Sequence, residues 1–96
     1  MMNFVKIDGF DWDEGNIEKN LIKHGVNCQE AEEIFLDINV THLEDSKHSV
    51  KEKRFATIGK SFSDRILIAI FTIRNSKIRI VSVRCADKKE KDLYLG

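Results

Sequence analysis

Four arginines in the second half of this 96-residue chain, Arg54, Arg74, Arg79 and Arg84, lie on or at the ends of segments in which apolar and polar residues alternate. A guanidinium is planar, keeps its charge at any working pH and pairs with two phosphate oxygens at once. Set on a strand, it is held where a loop would let it wander. Were the phosphates those of an RNA strand and the chemistry its cleavage, working without a metal would need positive charge on the pentacoordinate phosphorus, a group to take the proton of the 2′-hydroxyl, and a proton for the departing 5′-oxygen. Arg54, Arg79 and Arg84 are candidates for the first role. Lys23, Arg74, Lys77, Lys88 and Lys89 are candidates for holding the rest of an RNA strand. For proton transfer the candidates are His24, whose ordinary pKa is about 6.5, and Glu52, with Lys23 behind them. Each has a plainer reading. His24 and Lys23 fall at the predicted end of a helix, where a cation beside the last carbonyls is favourable by about 0.3–1 kcal/mol. Glu52 and Arg54 share a strand face, where a surface ion pair is worth about 0–1 kcal/mol.

Strand parity limits which arginines can act together. In a regular strand over 77–84, Arg79 shares a face with Val81 and Val83, whereas Arg84 shares the other with Ile78, Ile80 and Ser82. One face has to be covered by helices, so both guanidiniums reach one site only if a bulge or a strand end intervenes. The residues alone leave both arrangements open.

Other chemistry has less support. His24, His42, His48, Cys28 and Cys85 form no metal-binding spacing, and the basic half holds no paired carboxylates for magnesium, so no metal and no cofactor is expected. Gly59-Lys60-Ser61 follows a strand but lacks the upstream glycine of a phosphate loop. Trp12 either stacks on a base, at about 1–3 kcal/mol per base, or closes the first helix onto the core, which is the plainer expectation. The run 87–92 alternates in sign along a predicted helix and reads equally as a solvated face or a phosphate contact.

The elements that must position these groups follow from pattern and punctuation. Phe4 to Asp8 is a candidate strand ending at Gly9. Asp13 caps a helix running to about His24, with Trp12 and Ile17 as a hydrophobic staple and Gly25 as a left-handed cap. Asn27 caps a second helix, with Glu30 completing a capping box and Ala31, Ile34 and Phe35 facing the core. Beyond Asp37 the period changes to two, giving strands over 38–43, 54–59, 65–74 and 77–84, the last two joined by a hairpin at Asn75-Ser76. Asp87 caps a short terminal helix, 88–95. The expected class is α+β: N-terminal helices packed on one face of an antiparallel sheet of about four strands, with a short C-terminal helix. Phe4, Phe35, Phe55 and Phe71 are expected in the core.

Ninety-six residues without proline, repeat or linker make one domain, 1–96. The longest apolar run, 66–73, is too short to span a bilayer, so no membrane is expected as a partner. The N-terminus lacks the pattern of a secretory signal, so a cytoplasmic protein with reduced Cys28 and Cys85 is expected. Formal charge is zero, yet residues up to Ser46 hold three Lys/Arg against eleven Asp/Glu, and the remainder holds thirteen against five. That asymmetry suggests a polyanion-facing surface, unless folding mixes the charges again.

The residues resemble a known family. Phe10-Asp-Trp12-Asp13, Asn20, Lys23-His24-Gly25-Val26, Ala31 and Phe35 are similar to the opening of the BrnT toxins. In the same order follow Glu52-x-Arg54, Ile58-Gly59, Phe71-Thr72-x-Arg74, Ile78-Arg79-Ile80-Val81-Ser82-x-Arg84-x-Ala86, Lys89-Glu90 and Tyr94. The resemblance covers nearly the whole chain, with a variable stretch from about Asp37 to Lys51. It implies a toxin of a bacterial type II toxin–antitoxin pair with a RelE-like fold, cleaving RNA to arrest translation. The implied partner is a BrnA-like antitoxin with a ribbon-helix-helix part, through which DNA would be contacted only indirectly. Two departures stand out: Asn16 replaces a common lysine, and Cys85 interrupts a common Arg-Arg-Ala triplet, which removes one basic group from the RNA face. The rival readings are a ParE-like toxin that acts without hydrolysis and a non-catalytic module of a DNA-binding repressor complex.

Overall fold

The computed structural model describes residues 9–15, 19, 24–45 and 53–96. Four strands, β1 (Thr41–Asp45), β2 (Arg54–Lys60), β3 (Ile66–Arg74) and β4 (Lys77–Cys85), form an antiparallel sheet in the order β1-β2-β3-β4. Chain neighbours are sheet neighbours throughout, as short connections favour. β3 and β4 are joined by Asn75 and Ser76, whose φ values of 51° and 62° give the primed turn that matches strand twist. The outer edge of β4 is met by the segment around Phe10, which makes a parallel bridge to Ile78. Asp11 N–H donates to the Ile78 carbonyl at 2.8 Å, and Ile78 N–H donates to the Gly9 carbonyl at 2.9 Å, so part of this edge is covered rather than left to pair with another chain.

The first face of the sheet carries Leu67, Ala69 and Phe71 of β3 with Ile78, Ile80 and Val83 of β4. Against it pack Val26, Ala31 of α1 (Cys28–Glu33) and Ile34 of the following 3-10 turn (Ile34–Leu36). Phe35 lies edge-on to Phe10 and Phe71, with ring centroids 5.2 and 5.4 Å apart. The turn comes so close to β2 that a Cβ on Gly59 would sit 2.4 Å from the Ile34 carbonyl oxygen, so this strand position admits only glycine. Phe71, Ile34, Leu67 and Ile80 are fully buried, each contributing about 1.5–3 kcal/mol.

The second face carries Ala56, Ile58 and Ile68, covered at one end by Ala86 and by Tyr94 of α2 (Lys88–Leu95). Asp87 accepts from Glu90 N–H at 2.9 Å and Glu90 accepts from Asp87 N–H at 2.8 Å, a complete capping box at the start of α2. Among the described residues no helix is long and apolar enough to cross a membrane.

Several expectations need correction. Of the N-terminal helices expected together on one face, the described residues show α1 there, and the C-terminal helix α2 lies on the opposite face. Of the expected first helix, Glu14, Gly15, Lys19 and His24 have helical backbone, while the strand at Phe4 to Asp8 and the staple partner Ile17 lie outside the described residues. β1 begins at Thr41 rather than Ile38. There Asp37 Oδ1 accepts from Asn39 N–H at 3.0 Å, so a local side-chain turn overrides the alternating pattern and leaves Ile38 95% exposed. Gly25 does adopt left-handed backbone at φ 64°, and Asn27 does cap α1, accepting from Glu30 N–H at 2.8 Å. The capping box expected there is only half formed, because the Glu30 carboxylate is engaged elsewhere.

Glu30 is buried and gathers donors from the loop between β2 and β3. It accepts from Ser61 and Ser63 hydroxyls at 2.9 and 2.8 Å, from Arg65 Nε at 2.7 Å and from Arg65 Nη2. Arg65 Nη2 donates also to the Gly25 carbonyl at 2.9 Å, closing a clasp between α1 and the sheet. The Arg65 hydrogen bonds, set against the cost of burial and aided by the two serines, lower the Glu30 pKa from 4.5 to about 2. A carboxyl depressed in the folded state stabilises the protein above its unfolded pKa, and that stabilisation fades as pH falls from about 4.5 toward 2. The shift corresponds to about 3 kcal/mol. Glu30→Gln is therefore expected to lower stability by about that amount at pH 7 in urea unfolding and to flatten its dependence on pH between about 4.5 and 2.

Candidate nucleic-acid interface

Cross-strand partners point to the same face of a sheet, so the register sorts the second face into transverse rows. Leu43, Ala56, Ile70 and Ser82 are successive partners across all four strands and form a mostly apolar middle row. On the α2 side runs Thr41, Ile58, Ile68 and Arg84. On the other side Thr72 partners Arg79, and Asp45 partners Arg54. Beyond them, at the hairpin, Arg74 partners Lys77. Adjacent rows on one face are two residues apart, about 7 Å.

Arg79 and Arg84 share this face for one reason. Ile70 partners Ser82 and Phe71 partners Ile80, which leaves Val81 as an extra residue in β4. The bulge resets the alternation, so Ile80 and Val83, three residues apart, are both buried in the first-face core. Arg79 and Arg84, five apart, consequently point to the second. The register thus chooses between the two arrangements that strand parity allowed.

Between the arginine rows lies an open groove of about 440 Å³, floored by Ala56, Ile68 and Ile70 and rimmed by Glu44, Arg54, Arg84 and Glu90. Arg84 donates from Nη1 and Nη2 to Glu90 at 2.8 and 2.9 Å, a two-pronged pair that fixes the guanidinium plane against the first turn of α2. The hydrogen bonds to Glu90 raise the Arg84 pKa above its ordinary value, outweighing burial. Arg79 meets Asp13 at 3.1 Å and Asp11 at 3.7 Å. Both carboxylates are nearly half exposed, 46% for Asp11 and 44% for Asp13, and such pairs are worth about 0–1 kcal/mol.

The remaining candidates are dispersed. His24 directly precedes Gly25 and Val26, and Val26 is buried in the first-face core, so His24 is not among the groove residues. Lys77 is exposed at the hairpin, and Lys88 and Lys89 are exposed on the first turn of α2. Lys23 and Glu52 lie outside the described residues. Trp12 packs against the first-face core and donates its indole N–H to Glu32 at 2.7 Å, the structural alternative to base stacking. Among the described residues no three His, Cys, Asp or Glu side chains converge as a metal site requires. Glu90 and the apolar middle row were absent from the sequence candidates. The Asp87-x-x-Glu90 spacing signalled the capping box, but nothing local signalled that Glu90 also reaches back six residues to Arg84.

Among the described residues, a four-stranded meander with a helix on each face and with Arg54, Arg79 and Arg84 turned to the same side defines a small α+β protein. Residues 12–90 match the family model described as the ribonuclease toxin BrnT of type II toxin–antitoxin systems, and the chain belongs to that family. As such a toxin it has RNA as its substrate and an antitoxin as its partner. The crystal structure of the Brucella abortus ribonuclease toxin BrnT has the same fold, with a TM-score of 0.63 and 23% identity over 83% of this chain and 97% of that one. No curated protein matches the sequence significantly.

Thr72, in the row of Arg79, is buried, and among the described residues its Oγ1 has no hydrogen-bond partner. A desolvated, unsatisfied hydroxyl costs about 1–3 kcal/mol, which a near-isosteric methyl avoids. Thr72→Val is expected to raise the melting temperature by a few degrees, and a fall in a thermal scan would show that the hydroxyl has a partner in solution.

Proposed function

We propose that this toxin is a metal-independent endoribonuclease of the cytoplasm, acting as one domain, which arrests translation by cutting RNA laid across the second face of its sheet. The observation that supports this most is the Val81 bulge, because it brings Arg79 and Arg84 to the same side as Arg54. The 2′-hydroxyl attacks the adjacent phosphorus as the bond to the 5′-oxygen breaks, and charge grows on the equatorial oxygens. Guanidiniums of Arg54, Arg79 and Arg84 stabilise that charge, a form of electrostatic catalysis in which one well-placed donor is worth about 10²–10³ in rate. Arg74, Lys77, Lys88 and Lys89, with Lys23, hold flanking phosphates. Glu52 and His24 are the groups for proton transfer, one taking the proton of the 2′-hydroxyl and the other supplying a proton to the departing 5′-oxygen. The antitoxin is BrnA-like, with a ribbon-helix-helix part that contacts DNA on behalf of the pair, and it silences the toxin by occupying the basic face.

The test uses purified toxin and a labelled RNA in excess chelator. Cleavage is expected to persist, and Arg79→Ala and Arg84→Ala are each expected to lower kcat/KM by about 10²-fold or more, to end growth arrest on expression, and to leave antitoxin binding detectable. Cleavage that stops with the chelator, or full activity in both variants, would contradict the proposal.

A further inference from the structure

We propose that the apolar middle row of the groove is a nucleobase subsite, taking one unpaired base of a single-stranded RNA while the arginine rows on either side meet its flanking phosphates. The proposal rests on the second face being the RNA face and adds what that face reads. Phosphate binding alone gives no reason for an apolar floor: Leu43 and Ile70, the parts of it that reach solvent beside the nearly closed Ala56 and Ile68, would gain nothing from a ligand that is all charge and water. Leu43, Ala56, Ile70 and Ser82 carry the floor in one row from β1 to β4, and Ile68 stands beside it in the row of Arg84. Ala56 and Ser82 are small, so the row is low on both sides of Ile70, and the groove opens between strands whose other end α2 covers.

The dimensions select the ligand. A volume of about 440 Å³ falls within the range of about 300–1,000 Å³ typical of small-ligand sites, room for one nucleotide. Arg54 and Arg84 belong to the rows on either side, whose backbone positions are about 7 Å away, so a base on the floor would lie between two phosphate contacts. A duplex keeps its bases stacked inside and offers only phosphate and sugar, so the floor would stay wet; an unpaired strand can turn a base outward. Polar edges of that base would meet the Ser82 hydroxyl and the Glu90 carboxylate, an acceptor already fixed in place by Arg84 and Asp87.

The experiment measures fluorescence anisotropy of the intact chain with a short single-stranded RNA, 2′-O-methylated throughout so that it cannot be cut, and with the same strand carrying one abasic position moved along its length. An abasic site at one position is expected to weaken binding by about 5- to 150-fold, the loss of one base contact, with the remaining positions within about twofold. The duplex form is expected to bind no better than that abasic strand. Ala56→Leu, which fills the floor, is expected to erase the difference between intact and abasic strands while the arginine-dependent affinity remains. Should Ala56→Leu fail to fold, Ser82→Val serves in its place, and the abasic series decides on its own. Tight binding that is indifferent to every abasic position overturns the subsite and leaves the phosphate reading standing. Absence of RNA binding overturns both. Loss of antitoxin binding in Ala56→Leu together with an unchanged abasic series would give the groove to a side chain of the partner and overturn the subsite as well.

Discussion

A β-strand alternates its side chains, and a strand in a sheet with one covered face cannot place residues an odd number apart on the same side unless something breaks the count. In this protein the break is a single unpaired residue, Val81. The first-face core requires it as much as the basic face does: Ile78 and Ile80 before the bulge and Val83 after it all pack beneath α1. The same extra residue turns Arg79 and Arg84 outward together. Core packing and the placement of charge are thus set by one irregularity, and neither can shift without the other.

The half-open second face depends on where the helices are held. Buried or partly buried carboxylates do the holding. Glu30 ties α1 to the loop between β2 and β3 through Arg65 and two serines. Asp37 accepts from Lys60 N–H at 2.7 Å and from the Tyr94 hydroxyl, tying α2 to the end of β2. Burial would raise the Asp37 pKa, but these hydrogen bonds and that from Asn39 hold it below its ordinary value, and the bond to Asp37 raises that of Tyr94. Glu90 serves at once as helix cap and as the anchor of Arg84. With α2 fixed at one end of the sheet, the rows from Ile70 to Arg79 stay uncovered by it.

Much of this was legible in the sequence. The period-two pattern located β2, β3 and β4 to within a residue at each end, Asn75 marked the hairpin, and Asp87 and Glu90 marked α2. The resemblance to BrnT toxins rested on scattered residues in fixed order, and the family match carries it. What could not be read was whatever depended on long-range partners. The parity of β4 was uncertain because a bulge has no strong local signature. Which helix covers which face is decided by Ala86 and Tyr94 meeting Ile58 and Ile68, contacts invisible along the chain. The charge asymmetry between the two halves was real in sequence but partly undone in space, since Glu30 pairs with Arg65 and Asp11 and Asp13 meet Arg79.

The co-location of the guanidiniums is best tested by NMR, following arginine Nε–Hε resonances and isoleucine and valine methyls as non-cleavable single-stranded RNA is added. Resonances of Arg79 and Arg84 are expected to shift together and in proportion to occupancy, along with the Val81 methyls, while Ile34 and Val26 beneath the first face stay in place. Movement of only one of the two arginines, or a response centred on Val26 and Ile34, would show that the bulge does not make one binding face.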